Sequence, residues 1–293
     1  MNLPALSATG WTDYDLLDSG DGQKLERFGP VVLARPEAQA TWQPALPASG
    51  WQAHAVYRQE EQGGRWLVQH PFDRRWVIGY RGLQCQLEID DSRHVGVFPE
   101  NAVHWDWIEA QVAATQRPLH LLNLFGYTGL ATLAAARAGA RVTHVDASKR
   151  AVTRARENQA LSGLVDKPVR WIVEDALKYL RREARRAVRY DGIILDPPAF
   201  GRGPGGEVWS FEQLFGELCI ACRAVLSDRP LMVVATLYTR SADFNAAKEM
   251  LGGIMAGQRG ELTAGRMVTR DRSAGREIEH GQFVRWLARD RAG

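Results

Sequence analysis

Three aspartates carry the chemistry in this sequence. Asp146, Asp175 and Asp196 each stand at or just past the end of a short apolar run of the kind that forms a buried strand. An ionised carboxylate only accepts hydrogen bonds, so acceptors placed there suit hydroxyl and amino groups. Asp146 follows a glycine turn by about 20 residues, the position from which an acidic side chain binds ribose hydroxyls. Asp175 opens a helical stretch and is placed to accept from an adenine amino group. Asp196 begins Asp196-Pro197-Pro198-Ala199-Phe200. Two consecutive prolines cannot extend a helix, and they fix the loop that leaves the strand tip. Asp196 and a proline carbonyl then form a rigid pair of acceptors for a base NH or amino group, and Phe200 is available to stack on a flipped base. The plain alternative is a strand-to-loop turn with an incidental Asp, and the repetition at successive strand ends weighs against it.

The turn that precedes Asp146 lies in residues 119–129, Leu-His-Leu-Leu-Asn-Leu-Phe-Gly-Tyr-Thr-Gly. Leu119, Leu121, Leu122 and Leu124 spell a buried parallel strand between Pro118 and Gly126. From Thr128 the sequence is rich in helix formers, and Gly139 suits a C-terminal stop. A strand that turns through glycine into a helix is where an open α/β sheet binds a nucleotide-like ligand. A dinucleotide fingerprint requires Gly-x-Gly-x-x-Gly. Here there are two glycines, flanked by the bulky Phe125 and Tyr127, which fits a cofactor without a pyrophosphate such as S-adenosylmethionine.

The elements that must position these groups follow in βαβα order. After the 119–124 strand come strands ending in Asp146, at 169–173, at 190–195 and at 231–235. Between them lie helical stretches, one capped by Ser148 and running to about Leu161. A helix near 241–255 and two strand-like runs, 261–269 and 282–287, make a closing hairpin at the sheet edge. The alternation specifies an α/β, doubly wound, seven-stranded Rossmann-like domain over 103–293, with a helix at 103–114 leading in.

Residues 1–102 read differently. Turn signals at Ser19-Gly20-Asp21-Gly22 and Gly29-Pro30 separate short runs over 14–35, and 83–89 alternates apolar and polar residues. Hairpins without intervening helices indicate a small antiparallel β module. It holds Trp11, Trp42, Trp51, Trp66 and Trp76 beside Arg58, Arg65, Arg74, Arg75 and Arg81, with Trp105 and Trp107 just beyond. The functional reading is a set of stacking platforms for unpaired bases. The preferred reading is that these rings fill a small core, with Trp76, directly after two arginines, the exception to test.

At 293 residues there is room for both parts. Residues 1–20 have no basic leader before an apolar core, and no apolar run is long enough to span a bilayer. Three cysteines cannot form a disulfide framework, so a cytoplasmic protein without a membrane partner is expected. A net charge of +3 permits RNA binding without proving it. The seven histidines have no metal-ligand spacing, so no metal is expected, and no hydrolase nucleophile elbow is present. Gly201-Arg202-Gly203-Pro204-Gly205-Gly206-Glu207 lacks the Gly-Lys-Ser/Thr ending of a phosphate loop and is either a substrate clamp or a surface loop. Arg181, Arg182, Arg185, Arg186 and Arg189 read as a solvated helix face.

Five motifs taken together resemble one family: Asn123-Leu124-Phe125-Gly126-Tyr127-Thr128-Gly129, Val145-Asp146-Ala147-Ser148, Ala155-Arg156-Glu157-Asn158, Glu174-Asp175-Ala176 and Asp196-Pro197-Pro198-Ala199-Phe200. Residues 94–240 are similar to the bacterial large-subunit rRNA methyltransferases that modify cytosine C5 or guanine N7, within the class I S-adenosylmethionine-dependent fold. The family's cofactor-covering loop looks similar to Gly96-Val97-Phe98-Pro99-Glu100-Asn101-Ala102, with Ala102 where the family has Arg. The resemblance implies that Phe125, Gly126, Tyr127, Thr128 and Gly129 hold the methionine part of S-adenosylmethionine, with Asn123 and Phe98 in support. It also implies Asp146, Ala147 and Ser148 at the ribose and Asp175 and Ala176 at the adenine. Asp196, Pro197 and Phe200 fall at the reacting base. The family's usual RNA-binding module is replaced by the Trp-rich region. The cysteine-bearing motif after the fifth strand is Ala235-Thr236-Leu237-Tyr238-Thr239, without cysteine. Cytosine-C5 methylation normally needs a thiolate, so methyl transfer to nitrogen or oxygen is favoured over covalent C5 chemistry. A base in RNA, most of all rRNA, is the expected target, and nitrogen the expected atom. The competing expectations are a small-molecule or protein substrate, and a non-catalytic RNA-binding protein on the same scaffold.

Overall fold

Leu121, Leu122 and Leu124 are fully buried in an inner strand of the larger sheet. They belong to a computed structural model that describes residues 3–60, 63–238 and 244–289. In chain order the first strands are β1 (Ala5–Leu6), β2 (Tyr14–Gly20), β3 (Gln23–Phe28), β4 (Val31–Pro36), β5 (Ala55–Glu60), β6 (Gly63–Val68), β7 (Arg75–Tyr80) and β8 (Leu83–Glu88). Then come α1 (Ala102–Ala113), β9 (His120–Leu124), α2 (Leu130–Arg137), β10 (Arg141–Asp146), α3 (Lys149–Leu161), β11 (Val169–Val173) and α4 (Ala176–Arg185). The chain closes with β12 (Gly192–Leu195), β13 (Phe200–Arg202), β14 (Val208–Ser210), α5 (Phe211–Val225), β15 (Met232–Leu237), α6 (Phe244–Ile254), β16 (Gly260–Arg270) and β17 (Glu277–Ala288). These elements fall into two units, one built on 103–266 with 281–289 and 3–5, the other on 6–102 with 267–280.

In the first unit the strand order is β1-β16-β17-β15-β12-β9-β10-β11. These are the seven strands expected, with two-residue β1 added at the edge. β9, β10, β11, β12 and β15 are parallel, and β17 runs antiparallel to β15. The chain order reverses between β9 and β12, and the crevice at the carboxyl ends there is where such sheets take ligands. Helix α5 turns Phe211, Phe215, Leu218, Cys219, Cys222 and Val225 into the core at three- and four-residue spacing. Both cysteines are therefore packing residues. The helix expected near 241–255 is α6, and residues 241–243, like Thr239, lie outside the described residues. No helix among the described residues is long and apolar enough to cross a membrane.

The second unit is the small β module: a sheet ordered β2-β3-β4-β5-β6 and the β7–β8 hairpin. Its pairs are antiparallel except for the short β4–β5 contact. Asp21 and Gly22 both take positive φ (50° and 74°), the turn that an Asp-Gly pair favours in a hairpin. Trp76 of this module is structural, and the other four tryptophans are anchored through their indole N–H groups. Trp76 is buried and its indole N–H donates to the Phe28 carbonyl at 3.0 Å, which removes it as a stacking platform. Trp11, Trp42, Trp51 and Trp66 likewise donate to Pro99 O, Ser19 O, Asp18 Oδ2 and Ser92 O at 2.8–3.0 Å. A buried Tyr14–Glu26–Arg35 network completes the interior. The Arg35 guanidinium holds the Glu26 carboxyl down at about 2 despite burial. Residues 267–280 belong to this unit because Asp271 accepts from Ser19 Oγ at 2.7 Å and Ser273 donates to Asp18.

Candidate active site

The turn after β9 is held in an unusual backbone. Phe125 (φ 57°), Tyr127 (φ 48°) and Gly129 (φ 88°) are all left-handed, and for Phe and Tyr that conformation costs on the order of 1 kcal/mol or more each. Fixed partners keep it in place. Tyr127 N donates to Asp146 Oδ2 at 2.8 Å, Gly126 N to Val145 O at 3.1 Å and Gly129 N to Gly126 O at 3.0 Å. Asn158 on α3 donates its amide to Thr128 O at 2.9 Å. Gly126 lies directly on the His144 ring, so that a Cβ there would meet the imidazole Cε1 and overlap it. Gly129 has the same constraint toward Ala155, which lets α2 and α3 approach closely.

Beneath the turn runs a buried polar chain. Asn123 Nδ2 donates to Thr132 Oγ1 at 2.9 Å, and Thr132 Oγ1 lies 3.0 Å from His144 Nδ1. Burial holds His144 neutral, pushing its pKa down to about 3. Thr132 Oγ1 and His144 Nδ1 share one hydrogen, with the donor set by the imidazole tautomer. Asn123 is thus a brace of the loop, its amide spent on α2. Thr132 and His144 are additions that no sequence motif marks.

The three aspartates stand at strand ends, as their positions in the sequence suggested. Asp146 Oδ1 accepts from Ser148 N and Oδ2 from Tyr127 N, both at 2.8 Å. One lone pair remains on each oxygen, and burial raises the carboxyl pKa. Ser148 caps α3 through Ala151 N at 3.2 Å, with Ala147 between the cap and the strand end. Asp175 caps α4 by accepting from Lys178 N with Oδ1 at 2.9 Å, and Ala176 is buried behind it. Glu174 is occupied by Lys178 and Arg182. Arg181 and Arg186 likewise pair with Glu217 and Glu183, the solvated face expected of that helix.

Asp196 follows β12, beside Leu124 of β9, whose carbonyl its N–H approaches at 3.4 Å. Pro197 is buried and Phe200 is 61% exposed. The glycine-rich stretch is the tip of a β13–β14 hairpin, pairing Phe200 with Ser210, Gly201 with Trp209 and Arg202 with Val208. Sequence reasoning missed Trp209. Its indole donates to Pro198 O at 2.7 Å, and its ring centroid is 5.0 Å from that of Phe125. The Pro198 carbonyl is thereby tied to the hairpin through one of its lone pairs. A single buried aromatic within a glycine-rich polar stretch was the available signal. Phe98 belongs to the second unit, where its ring packs against His94. No group of three or more His, Cys, Asp or Glu is arranged to hold a metal among the described residues.

Comparison with known proteins agrees with this geometry. A family model for S-adenosylmethionine-dependent methyltransferases matches residues 29–217. The crystal structure of a SAM-dependent methyltransferase from Agrobacterium tumefaciens is 42% identical, with a TM-score of 0.92 over 98% of this chain and 96% of that one. Ribosomal RNA large subunit methyltransferase I of Shewanella denitrificans is 43% identical over 125 residues, 42% of this chain and 30% of its own. Methyltransferase K/L of Methylococcus capsulatus is 34% identical over 146 residues, 50% of this chain and 19% of its own. This chain thus spans less than a third of the length of these two curated relatives.

Proposed function

This chain belongs to the S-adenosylmethionine-dependent methyltransferase family, and from that premise we propose that it methylates a base in RNA, ribosomal RNA first, at a nitrogen. The observation that carries this reading is the rigid acceptor loop 196–198 beside the strained glycine turn, with an exposed aromatic two residues beyond it. The relatives named for ribosomal RNA support the substrate class.

The residues at the strand ends fit the cofactor. Asp146 offers two oxygens with one free lone pair each, a match for two ribose hydroxyls, with Ala147 and Ser148 alongside. Asp175 offers its second oxygen to an adenine amino group, over Ala176. Phe125, Gly126, Tyr127, Thr128 and Gly129 hold the methionine portion, and Asn123 keeps that turn in shape. For Phe98 the support is the family resemblance of the loop at 96–102 alone. Bound there, S-adenosylmethionine supplies an electrophilic methyl group on a positively charged sulfur.

The chain's own part is positioning. Asp196 and the Pro197 carbonyl accept hydrogens from the target nitrogen and so aim its lone pair, which is where much of the rate comes from in a transfer of this kind. Asp196 also receives the proton that nitrogen sheds as the new bond forms. Phe200 stacks on the base. Cytosine-C5 chemistry is disfavoured because all three cysteines are buried. Burial pushes the Cys219 thiol up to about 12 and the Cys222 thiol up as well, so neither supplies the thiolate which that reaction needs. The unit built on 6–102 with 267–280 serves as the substrate module, and the unit built on 103–266 with 281–289 as the catalytic domain. Nucleoside mass spectrometry of RNA treated with enzyme and cofactor tests the assignment: an N-methylated base is expected, and 5-methylcytidine as the product would refute it.

A further inference from the structure

The β13–β14 hairpin has two faces. Cross-strand partners and residues two apart share a face, so Gly201 and Trp209 lie on one side and Phe200, Arg202, Val208 and Ser210 on the other. Trp209 is buried on its side, its ring against Phe125. On the opposite side Phe200 is 61% exposed and Val208 52% exposed, and Arg202 is exposed with no acidic partner among the described residues.

This face is rigid. Trp209 anchors it to Pro198 O, and Phe211 N donates to Ala199 O at 3.0 Å at its base. At the tip Glu207 accepts from Gly205 N at 2.8 Å and pairs with Lys178 at 3.3 Å. The one nearby carboxylate on the hairpin is thereby tied to a lysine and to its own loop, which leaves Arg202 as the uncompensated charge. A large aromatic and an aliphatic side chain held in water, with an unpaired guanidinium about 7 Å along the same strand from the aromatic ring, match the parts of a nucleotide step: a flat base and a phosphate.

We propose that the outward face of the hairpin is the grip for single-stranded RNA around the target nucleotide, with Phe200 on the target base, Val208 against the base beside it and Arg202 pairing with the phosphate between them. This deepens the RNA reading and rests on it. The charge selects a nucleic acid over a neutral partner, and the exposed ring selects an unpaired strand over a duplex, whose bases are already stacked.

Fluorescence anisotropy with a short polyuridine oligonucleotide and the full-length chain tests it. Phe200→Ala is expected to weaken binding about tenfold. Arg202→Ala is expected to weaken it and to make its salt dependence shallower by about one phosphate contact. Phe200→Trp is expected to bind as wild type, and S-adenosylmethionine affinity by calorimetry to be unchanged in Arg202→Ala. Wild-type affinity and salt slope in both alanine variants would overturn the hairpin assignment and leave the RNA reading standing. A wild-type chain that binds S-adenosylmethionine but no RNA would overturn both. Binding of a polyglutamate peptide that is lost in Arg202→Ala, without an effect on polyuridine, would assign the face to an acidic protein and so refute the proposal.

Discussion

Trp209 donates its indole N–H to the carbonyl of Pro198 at 2.7 Å, and the same ring lies 5.0 Å from Phe125. One side chain thus joins the acceptor loop of 196–198 to the strained turn of 125–129. Trp209→Phe keeps most of the packing and removes the donor, costing about 1 kcal/mol of stability. It is expected to lower kcat about tenfold through loosened positioning, with a much smaller change in cofactor affinity. Steady-state kinetics beside calorimetry separates the two, and an unchanged kcat would remove Trp209 from the positioning machinery.

On the proposed reading, in which Asp146 holds the ribose, it sets the pH dependence of cofactor binding. Burial raises its carboxyl above the ordinary range, so on acidification it takes up a proton earlier than an exposed aspartate and loses acceptor capacity. S-adenosylmethionine affinity is therefore expected to be flat near neutrality and to fall as the pH drops, starting above the usual aspartate range. Asp146→Asn, which also turns one acceptor into a donor, is expected to cost about tenfold to a hundredfold and to flatten that dependence. Calorimetry across the pH range checks both.

The cysteines make the cleanest chemical contrast. With both α5 thiols buried and shifted upward, Cys219→Ala and Cys222→Ala are expected to cost stability of about 1–2 kcal/mol each and to leave the rate of methyl transfer within a few-fold of wild type. Loss of transfer in a folded Cys→Ala variant, or a covalent adduct with RNA carrying 5-fluorocytidine, would restore thiolate chemistry.

Much of the site was legible because its residues obey local rules. An Asp after an apolar run, a glycine turn before a helix and two prolines at a strand tip each announce themselves within a few positions. The tertiary partners did not. Trp209 reads as one more tryptophan until β13 and β14 pair. Thr132 and His144 lie 12 residues apart and meet only because α2 packs over β10. The same gap explains Trp76: next to Arg74 and Arg75 it resembled a platform, yet its N–H is spent on Phe28, 48 residues away. Asn123 was expected at the cofactor and braces the turn from below, because alternation along β9 points its side chain at α2.

His144 ties that brace to acid stability. Its pKa is about 3 in the folded chain and 6.5 ordinarily, so between those values the unfolded chain binds a proton that the folded chain does not. Stability is therefore complete above about pH 6.5 and is lost as the pH falls, by up to about 1.4 kcal/mol per unit crossed. His144→Gln is expected to reduce that slope, measured as the urea midpoint against pH. An unchanged slope would show that other groups govern the acid limb.

The central claim is methyl transfer to RNA, and one measurement addresses it directly. The purified chain is incubated with S-adenosylmethionine carrying a labelled methyl group and with total RNA from a strain lacking its gene, beside RNA from the intact strain. Label is expected in ribosomal RNA from the deletion strain, little in RNA already modified, and none with Asp196→Ala. Equal absence of label from both RNAs, with the cofactor bound, would contradict the account.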